Sequence, residues 1–297
     1  MKMKIEPMLA KLESLDVNLE GVWISEPKYD GERILAEAKD KKIGLWTRRH
    51  VQVSRKFPEV VTALLKVEGD DWVLDGELTV TGGFRQLLKR NVEDKTKIKI
   101  LSQKIPSTYH VFDVLRWEGV DITTQPLKER KKVLLAHIKP SNRIKVMPFR
   151  LVTNIDVEKH FREYLNQGYE GTILKNVFSP YEAGKRTGQW IKIKRDETVD
   201  VNIIGATRST GSIPFGALLM EKDGKYFGKV GTGYSSAEQK FIMKILQENP
   251  SPPTIPLPRD VASEVLITSL PIPAEIRVNE IYKGSPRAPV WVRFRWG

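Results

Sequence analysis

The 297-residue chain contains no cysteine. That excludes disulfides and thiolate metal sites, and it leaves the redox compartment open. Histidine is scarce as well: His50, His110, His137 and His160 are scattered along the chain, so no zinc cage is expected. Any metal should then be a hard, oxygen-bound ion such as Mg²⁺. No window reaches the apolar length of a membrane span, and the opening "MKMKIEPMLAKLESLDVN" has a charge every few residues in place of an apolar core. A cytoplasmic protein without a membrane partner is expected.

A hydrophobic share of 40% beside 29% charged residues is that of a globular protein. The length suits two ordinary domains, each able to bury a core without staples. The formal charge is +12, from 49 Lys and Arg against 37 Asp and Glu, and the charges are spread through the chain. Such a spread predicts a folded basic surface, which attracts phosphate backbones.

Period-two alternation runs through "GVWISEP" and "RILAEAKDKKIGLWTR", predicting an antiparallel meander around an Asp-Lys-Lys turn. "FPEVVTALLK" has helical spacing, and "DWVLDGELTV" and "YHVFDVL" read as strands. Two further helices are predicted. One is "QPLKERKKVLLAHIK", with Pro126 near its start; the other is "IDVEKHFREYLNQG", with Asp156 as N-cap and Gly168 closing it. After "WIKIKRDETVD" the pattern changes to short strands and tight turns, including a type I′ hairpin at Lys-Asp-Gly-Lys and a Ser235/Glu238 capping box before "SAEQKFIMKILQEN". Strands around one helix suit a small OB-type barrel. The expectation is an α+β protein with one domain over residues 1–197 and another over 198–297, and "NPSPPTIPLP" as a loop within the second.

The segment "KYDGER", residues 28 to 33, allows two readings: a charged surface hairpin, or a presented nucleophile. It is followed in order by "TRR" (47 to 49), "LDGEL" (74 to 78), "HVFDVL" (110 to 115), "YEGTILK" (169 to 175), "WIKIK" (190 to 194) and "PRAPVWVRFRW" (286 to 296). This series resembles the covalent nucleotidyltransferases, in the form of a minimal ATP-dependent DNA ligase, with RNA ligases and capping enzymes as relatives. The resemblance runs from "EPMLA" to the final strand. It implies a nucleotidyltransferase domain of antiparallel sheets with flanking helices, followed by an OB-fold domain.

The resemblance makes Lys28 the nucleophile that takes AMP from ATP. A free lysine is neutral in only about 1 in 2,500 molecules at pH 7, a cost near ~4.6 kcal/mol, so the site must disfavour its charge. Lys192 and Lys194 alternate by two and share one strand face. If that face looks at Lys28, their charges favour the neutral amine and also stabilise phosphate oxygens. Asp30 would act the other way and is assigned to the turn. Asp75 and Asp113, inside apolar strands, suit structural hydrogen bonds.

Further roles follow from the resemblance. Glu77 and Glu170 would position Mg²⁺ (or Mn²⁺) and the ribose or phosphates, Phe112 would stack on the base, and Glu26 would read the adenine edge. Arg33 and Arg48 would face the substrate phosphate, although in "TRRH" Arg49 competes with Arg48. Lys175 and Arg186 would point toward the nucleotide, and Arg287 and Arg295 toward the β- and γ-phosphates, which requires the second domain to close over the first.

The implied partner is nicked duplex DNA and the expected state a monomer; with no separate DNA-binding domain expected ahead of "EPMLA", grip on DNA is expected from the basic faces of the two domains, from other surface loops or from a partner. No sequence feature identifies a sliding clamp or repair partner. The alternatives are an RNA ligase, a capping guanylyltransferase, and a non-catalytic OB-type nucleic-acid binder.

Overall fold

The computed structural model describes residues 5–195, 197–209, 214–258, 261, 265–278, 280–282 and 284–295. The chain divides into two compact units, Met1–Lys194 and Arg195–Gly297.

The first unit contains strands β1 (Leu9–Leu12), β2 (Trp23–Lys28), β3 (Glu32–Lys39), β4 (Lys42–Thr47), β5 (Asp71–Val80), β6 (Ser107–Trp117), β7 (Val120–Asp121), β8 (Ile144–Val146), β9 (Arg150–Val152), β10 (Gly171–Asn176) and β11 (Arg186–Lys194). Its α-helices are α1 (Pro58–Leu64), α2 (Phe84–Leu88), α3 (Lys95–Lys104), α4 (Leu127–His137) and α5 (Asn154–Asn166). One sheet has the order β1-β11-β10-β2-β9, and the other runs β4-β3-β5-β6-β7 with β8 paired to β6.

Alternation along β2 sends Trp23 outward to pack with Leu174, Ile191 and Ile193 against Val157 and Phe161 of α5. Between the sheets, Met8, Leu35, Val73, Phe112, Leu115, Met147, Tyr181 and Trp190 form a second core. The outer face of the β3–β6 sheet buries Ile34, Leu45, Leu74 and Val111 against Val60 and Leu64 of α1 and Leu134 of α4. Two sheets with helices on their outer faces thus share one inner seam.

The predicted meander is split between the sheets. β3 and β4 do form a hairpin, with Asp40 and Lys41 at φ of 50° and 58° as a type I′ turn demands. β2 pairs instead with β10 and β9. The Tyr29–Gly31 link is therefore a crossing from one sheet to the other, and the surface-hairpin reading of "KYDGER" does not hold. Asp156 is also placed differently: the N-cap of α5 is Thr153, and Asp156 is its N3 partner, accepting from the Thr153 backbone N–H at 3.2 Å. Helix α3, capped by Asp94, has no counterpart among the predicted elements.

The second unit contains β12 (Glu197–Thr207), β13 (Leu218–Lys222), β14 (Lys225–Val230), β15 (Val265–Val278), β16 (Glu280–Tyr282), β17 (Ser285–Arg287), β18 (Val290–Phe294) and helix α6 (Ser236–Glu248). Its five-stranded sheet has the order β14-β13-β12-β15-β18, with register shifts at Ile203/Gly205, Met220/Glu221 and Glu275/Ile276. Bulges of this kind bend a sheet. The curl brings its edges together, because Trp291 at the start of β18 donates its backbone N–H to Thr232, just beyond β14, at 2.9 Å. The Ser235/Glu238 capping box opens α6, whose Ile242, Ile245 and Leu246 join the barrel core. The β13–β14 turn has Asp223 at φ 52° and Gly224 at φ 73°, as its sequence predicts. The Pro-rich stretch lies in the segment between α6 and β15.

Candidate active site

Strand register alone builds the site. Across β2, β10 and β11 the directly paired residues form three rows: Lys28–Gly171–Lys194, Glu26–Ile173–Lys192 and Ile24–Lys175–Trp190. Paired residues share a sheet face, and side chains two apart on a strand do so too. All three rows therefore face the seam between the sheets. The middle of the first row is Gly171, at φ 148°, where an added Cβ would lie 2.1 Å from the Ile193 carbonyl oxygen. Only glycine fits there.

A cleft opens over these rows. Its lining includes Glu26, Lys28, Arg33, Arg48, Glu77, Phe112, Ile173, Lys175, Arg186, Trp190 and Lys192. Arg48 lines it and Arg49 does not, which separates the two arginines of "TRRH". Lys194 belongs to the first row, and Glu170 reaches the site by pairing with the Lys28 ammonium. Arg287 and Arg295 lie in the second unit, where Arg295 donates to Asp200 at 2.8 Å.

The charged groups perturb one another. Burial first, then Arg186, Lys28, Lys194 and Arg48, hold the Lys192 ammonium below the usual lysine pKa. Burial pushes the Glu77 carboxyl up to about 8, against the pull of Arg33 and Lys28. A half-buried carboxyl whose neighbouring cations do not fully offset its desolvation is suited to a divalent cation. Mg²⁺ typically takes one or two protein carboxylates plus substrate phosphates. Glu77 and Glu170, which interact electrostatically beside Lys28, fit that demand. Among the described residues no cluster of three or more His, Cys, Asp or Glu forms an all-protein cage.

Arg33 lines the cleft with its guanidinium already clamped by Asp75, at 2.6 Å through both Nε and Nη2, and lying 4.6 Å from the Phe112 ring centroid. Tyr181 donates to the same Asp75 at 2.6 Å. Asp113 likewise accepts two bonds from Arg130, at 2.8 and 2.9 Å. Both aspartates are thus structural acceptors.

At the other end, Glu26 is only 2% exposed, and its two carboxylate oxygens meet Lys131 at 2.5 Å and Lys175 at 2.7 Å. The Lys175 ammonium sits 4.0 Å from the Phe112 centroid and 4.1 Å from that of Trp190. Burial, with Lys131 adding a like charge, lowers its pKa to about 8 in spite of Glu26. Trp190 and Lys131 are absent from the sequence-based candidates. The period that pairs Lys192 with Lys194 also reaches Trp190; nothing local in α4 marks Lys131.

A family model for the ATP dependent DNA ligase domain matches residues 7–194, the span that carries the whole cleft. The chain belongs to this ligase family. Among curated ligases, it is 33% identical over 270 residues to a "Probable DNA ligase" of Aquifex aeolicus, covering 82% of this chain and 46% of the relative. It is 32% identical over 305 residues to DNA ligase 1 of Methanosarcina barkeri, covering 91% of this chain and 54% of that one. The chain spans about half the length of these ligases.

The ligase likeness extends to solved structures over both units. Mycobacterial DNA ligase D, complexed with ATP and MES, is 26% identical with a TM-score of 0.54, covering 98% of this chain and 95% of that one. A Lig E DNA ligase, described as binding DNA with a minimal scaffold, has a TM-score of 0.67 at 20% identity, covering 99% and 100%. The second likeness concerns fold alone. The α+β architecture, with a nucleotidyltransferase fold and an OB-type barrel, is thus that of ATP-dependent DNA ligases.

Proposed function

We propose that this chain seals nicks in duplex DNA at the expense of ATP, with Lys28 as the nucleophile. The observation that carries this reading is the row geometry: a lysine at a strand end, with Lys192 and Lys194 on its own sheet face and Glu77 across the cleft.

In the first step the neutral Lys28 amine attacks the α-phosphorus of ATP. A phosphorus–nitrogen bond forms, the bond to the bridging oxygen breaks, pyrophosphate leaves, and the nitrogen releases its surplus proton to solvent. Lys192, Arg48 and Arg186 offer fixed positive charge to the phosphate oxygens. Glu26 and Phe112 take the base, on the side of the middle row that adjoins Lys175 and Trp190. An oxygen of the nick's 5′-phosphate then displaces Lys28 from the adenylate, and finally the 3′-hydroxyl displaces AMP.

Glu77 and Glu170 would hold a magnesium ion, which supplies neutralisation of phosphate charge when bound. Arg33, clamped by Asp75, serves as a fixed cation on the cleft wall. Arg287 and Arg295, from the second unit, are the proposed partners of the β- and γ-phosphates. DNA is held through its backbone by a monomer, because a nick has no fixed sequence.

One assay tests this. The protein is incubated with α-labelled ATP or GTP and Mg²⁺, the acid-labile adduct is counted, and the adduct is chased with nicked DNA or RNA. An ATP adduct discharged by nicked DNA and abolished by Lys28→Ala is expected. Absence of any adduct favours a non-catalytic binder; a GTP adduct favours capping; discharge on RNA alone favours RNA joining.

A further inference from the structure

The ion pairs under the base end of the cleft extend beyond the cleft lining. Lys131 comes from α4, 105 residues away from Glu26, and is 4% exposed. Its neighbour Arg130 turns to Asp113 of β6 while Lys131 turns to Glu26 of β2, so consecutive residues of one helix anchor both sheets. Lys131 also lies 4.6 Å from the Phe149 ring centroid, which closes its apolar side.

Burying an ammonium is costly unless a charge meets it, and Glu26 offers one negative charge to two buried lysines, of which Lys131 makes the hydrogen bond and Lys175 the ion pair. The duplication has a geometric consequence. With Lys131 on Oε1 and Lys175 on Oε2, the carboxylate of Glu26 is held at both oxygens. Contact at both oxygens restrains rotation about its last bond, and Glu26 lines the cleft in that setting.

We propose that Lys131 is a positioning residue for base selection: by holding Glu26 Oε1 opposite Lys175, it fixes the carboxylate as an acceptor for a base bearing an exocyclic amine and against one bearing an exocyclic carbonyl. The proposal rests on the base-recognition role given to Glu26 above. An adenine-type edge offers N–H to the carboxylate, whereas a guanine-type edge offers an oxygen and is repelled. A carboxylate free to turn, or drawn to one lysine, loses this discrimination while Lys28 and its phosphate-binding neighbours stay in place. Lys131 touches neither the reacting atoms nor the cleft, so its effect must pass through Glu26.

The test uses Lys131→Met, which is expected to fold because a one-to-one Glu26–Lys175 pair remains. Self-adenylation is measured against ATP and GTP concentration, with thermal unfolding as a check and Lys131→Gln as a second variant. In Lys131→Met the KM for ATP should rise about tenfold, the scale of one charged hydrogen bond. The ATP-over-GTP preference should fall by a similar factor, with kcat for adenylation and sealing of pre-adenylated nicked DNA little changed.

In a Glu26→Gln background the same substitution should leave the ATP-over-GTP ratio where Glu26→Gln put it. A folded Lys131→Met protein with wild-type KM and preference overturns the proposal, as does an undiminished effect in the Glu26→Gln background; Lys131→Gln, whose amide N–H can still donate to Glu26, should fall between Lys131→Met and the wild type. If the wild type forms no ATP adduct, the ligase reading itself fails, which separates the two outcomes.

Discussion

At the scale of single residues, Glu77 shows how a site stores a cost. Its pKa of about 8 in the folded chain compares with an ordinary 4.5, and burial is the main cause. Between those values the unfolded carboxyl has lost its proton while the folded one keeps it. Folding stability therefore declines as pH rises from 4.5 to 8 and this contribution then levels off. Glutamine keeps the shape without the titration. Thermal unfolding without divalent metal should show Glu77→Gln gaining on the wild type across that window, with the largest gain at pH 8. Magnesium-dependent adenylation should meanwhile fall by at least about tenfold if Glu77 helps to hold the ion. Parallel pH profiles of the two proteins would contradict the assignment. A functional carboxylate that destabilises the resting fold is an ordinary compromise of active sites.

At the scale of elements, the three strands β2, β10 and β11 convert spacing into proximity. Gly171 is the hinge of that conversion, since it sits between Lys28 and Lys194 with the Ile193 carbonyl occupying the space a Cβ would need. An alanine there meets both a backbone clash and a φ of 148°. Gly171→Ala should cost more than about 2 kcal/mol of stability in a denaturant titration. Whatever folds should have lost adenylation disproportionately, because the strand shift moves Lys192 and Lys194 relative to Lys28. A variant of wild-type stability and activity would show that the β10–β11 register is not needed at this point. Helix α4 works in the complementary direction: through Arg130 and Lys131 it ties the two sheets together beneath the base end.

At the scale of the whole molecule, the formal charge is +12 and the proposed substrate is a polyanion. Binding to nicked duplex should weaken by more than about tenfold between 50 and 200 mM salt, with little dependence on base sequence. Fluorescence anisotropy over a salt series measures both. A flat salt response, or a strong sequence preference, would count against backbone recognition. Within the second unit, Arg295 is paired with Asp200, which raises its pKa further, and Glu275 lies 3.7 Å away.

Much of this was determined by sequence alone. Alternation of two places Glu26 with Lys28 and Lys192 with Lys194 on common faces, and the turn chemistry of Asp40-Lys41 and Asp223-Gly224 follows from local backbone preference. The capping box at Ser235 is equally local. Those features depend on neighbours within a few residues, which is why they were legible.

Tertiary structure decided what local rules do not reach. It sent β2 and β3 into different sheets, so that the Tyr29–Gly31 link crosses the seam instead of closing a hairpin. It committed Arg33 to Asp75, chose Arg48 over Arg49 for the cleft, and set Lys131 under Glu26. Each is a pairing between strands or helices far apart in the chain. A charged side chain declares its sign in the sequence, but the opposite charge that neutralises it inside a low-dielectric core is chosen only when the sheets pack.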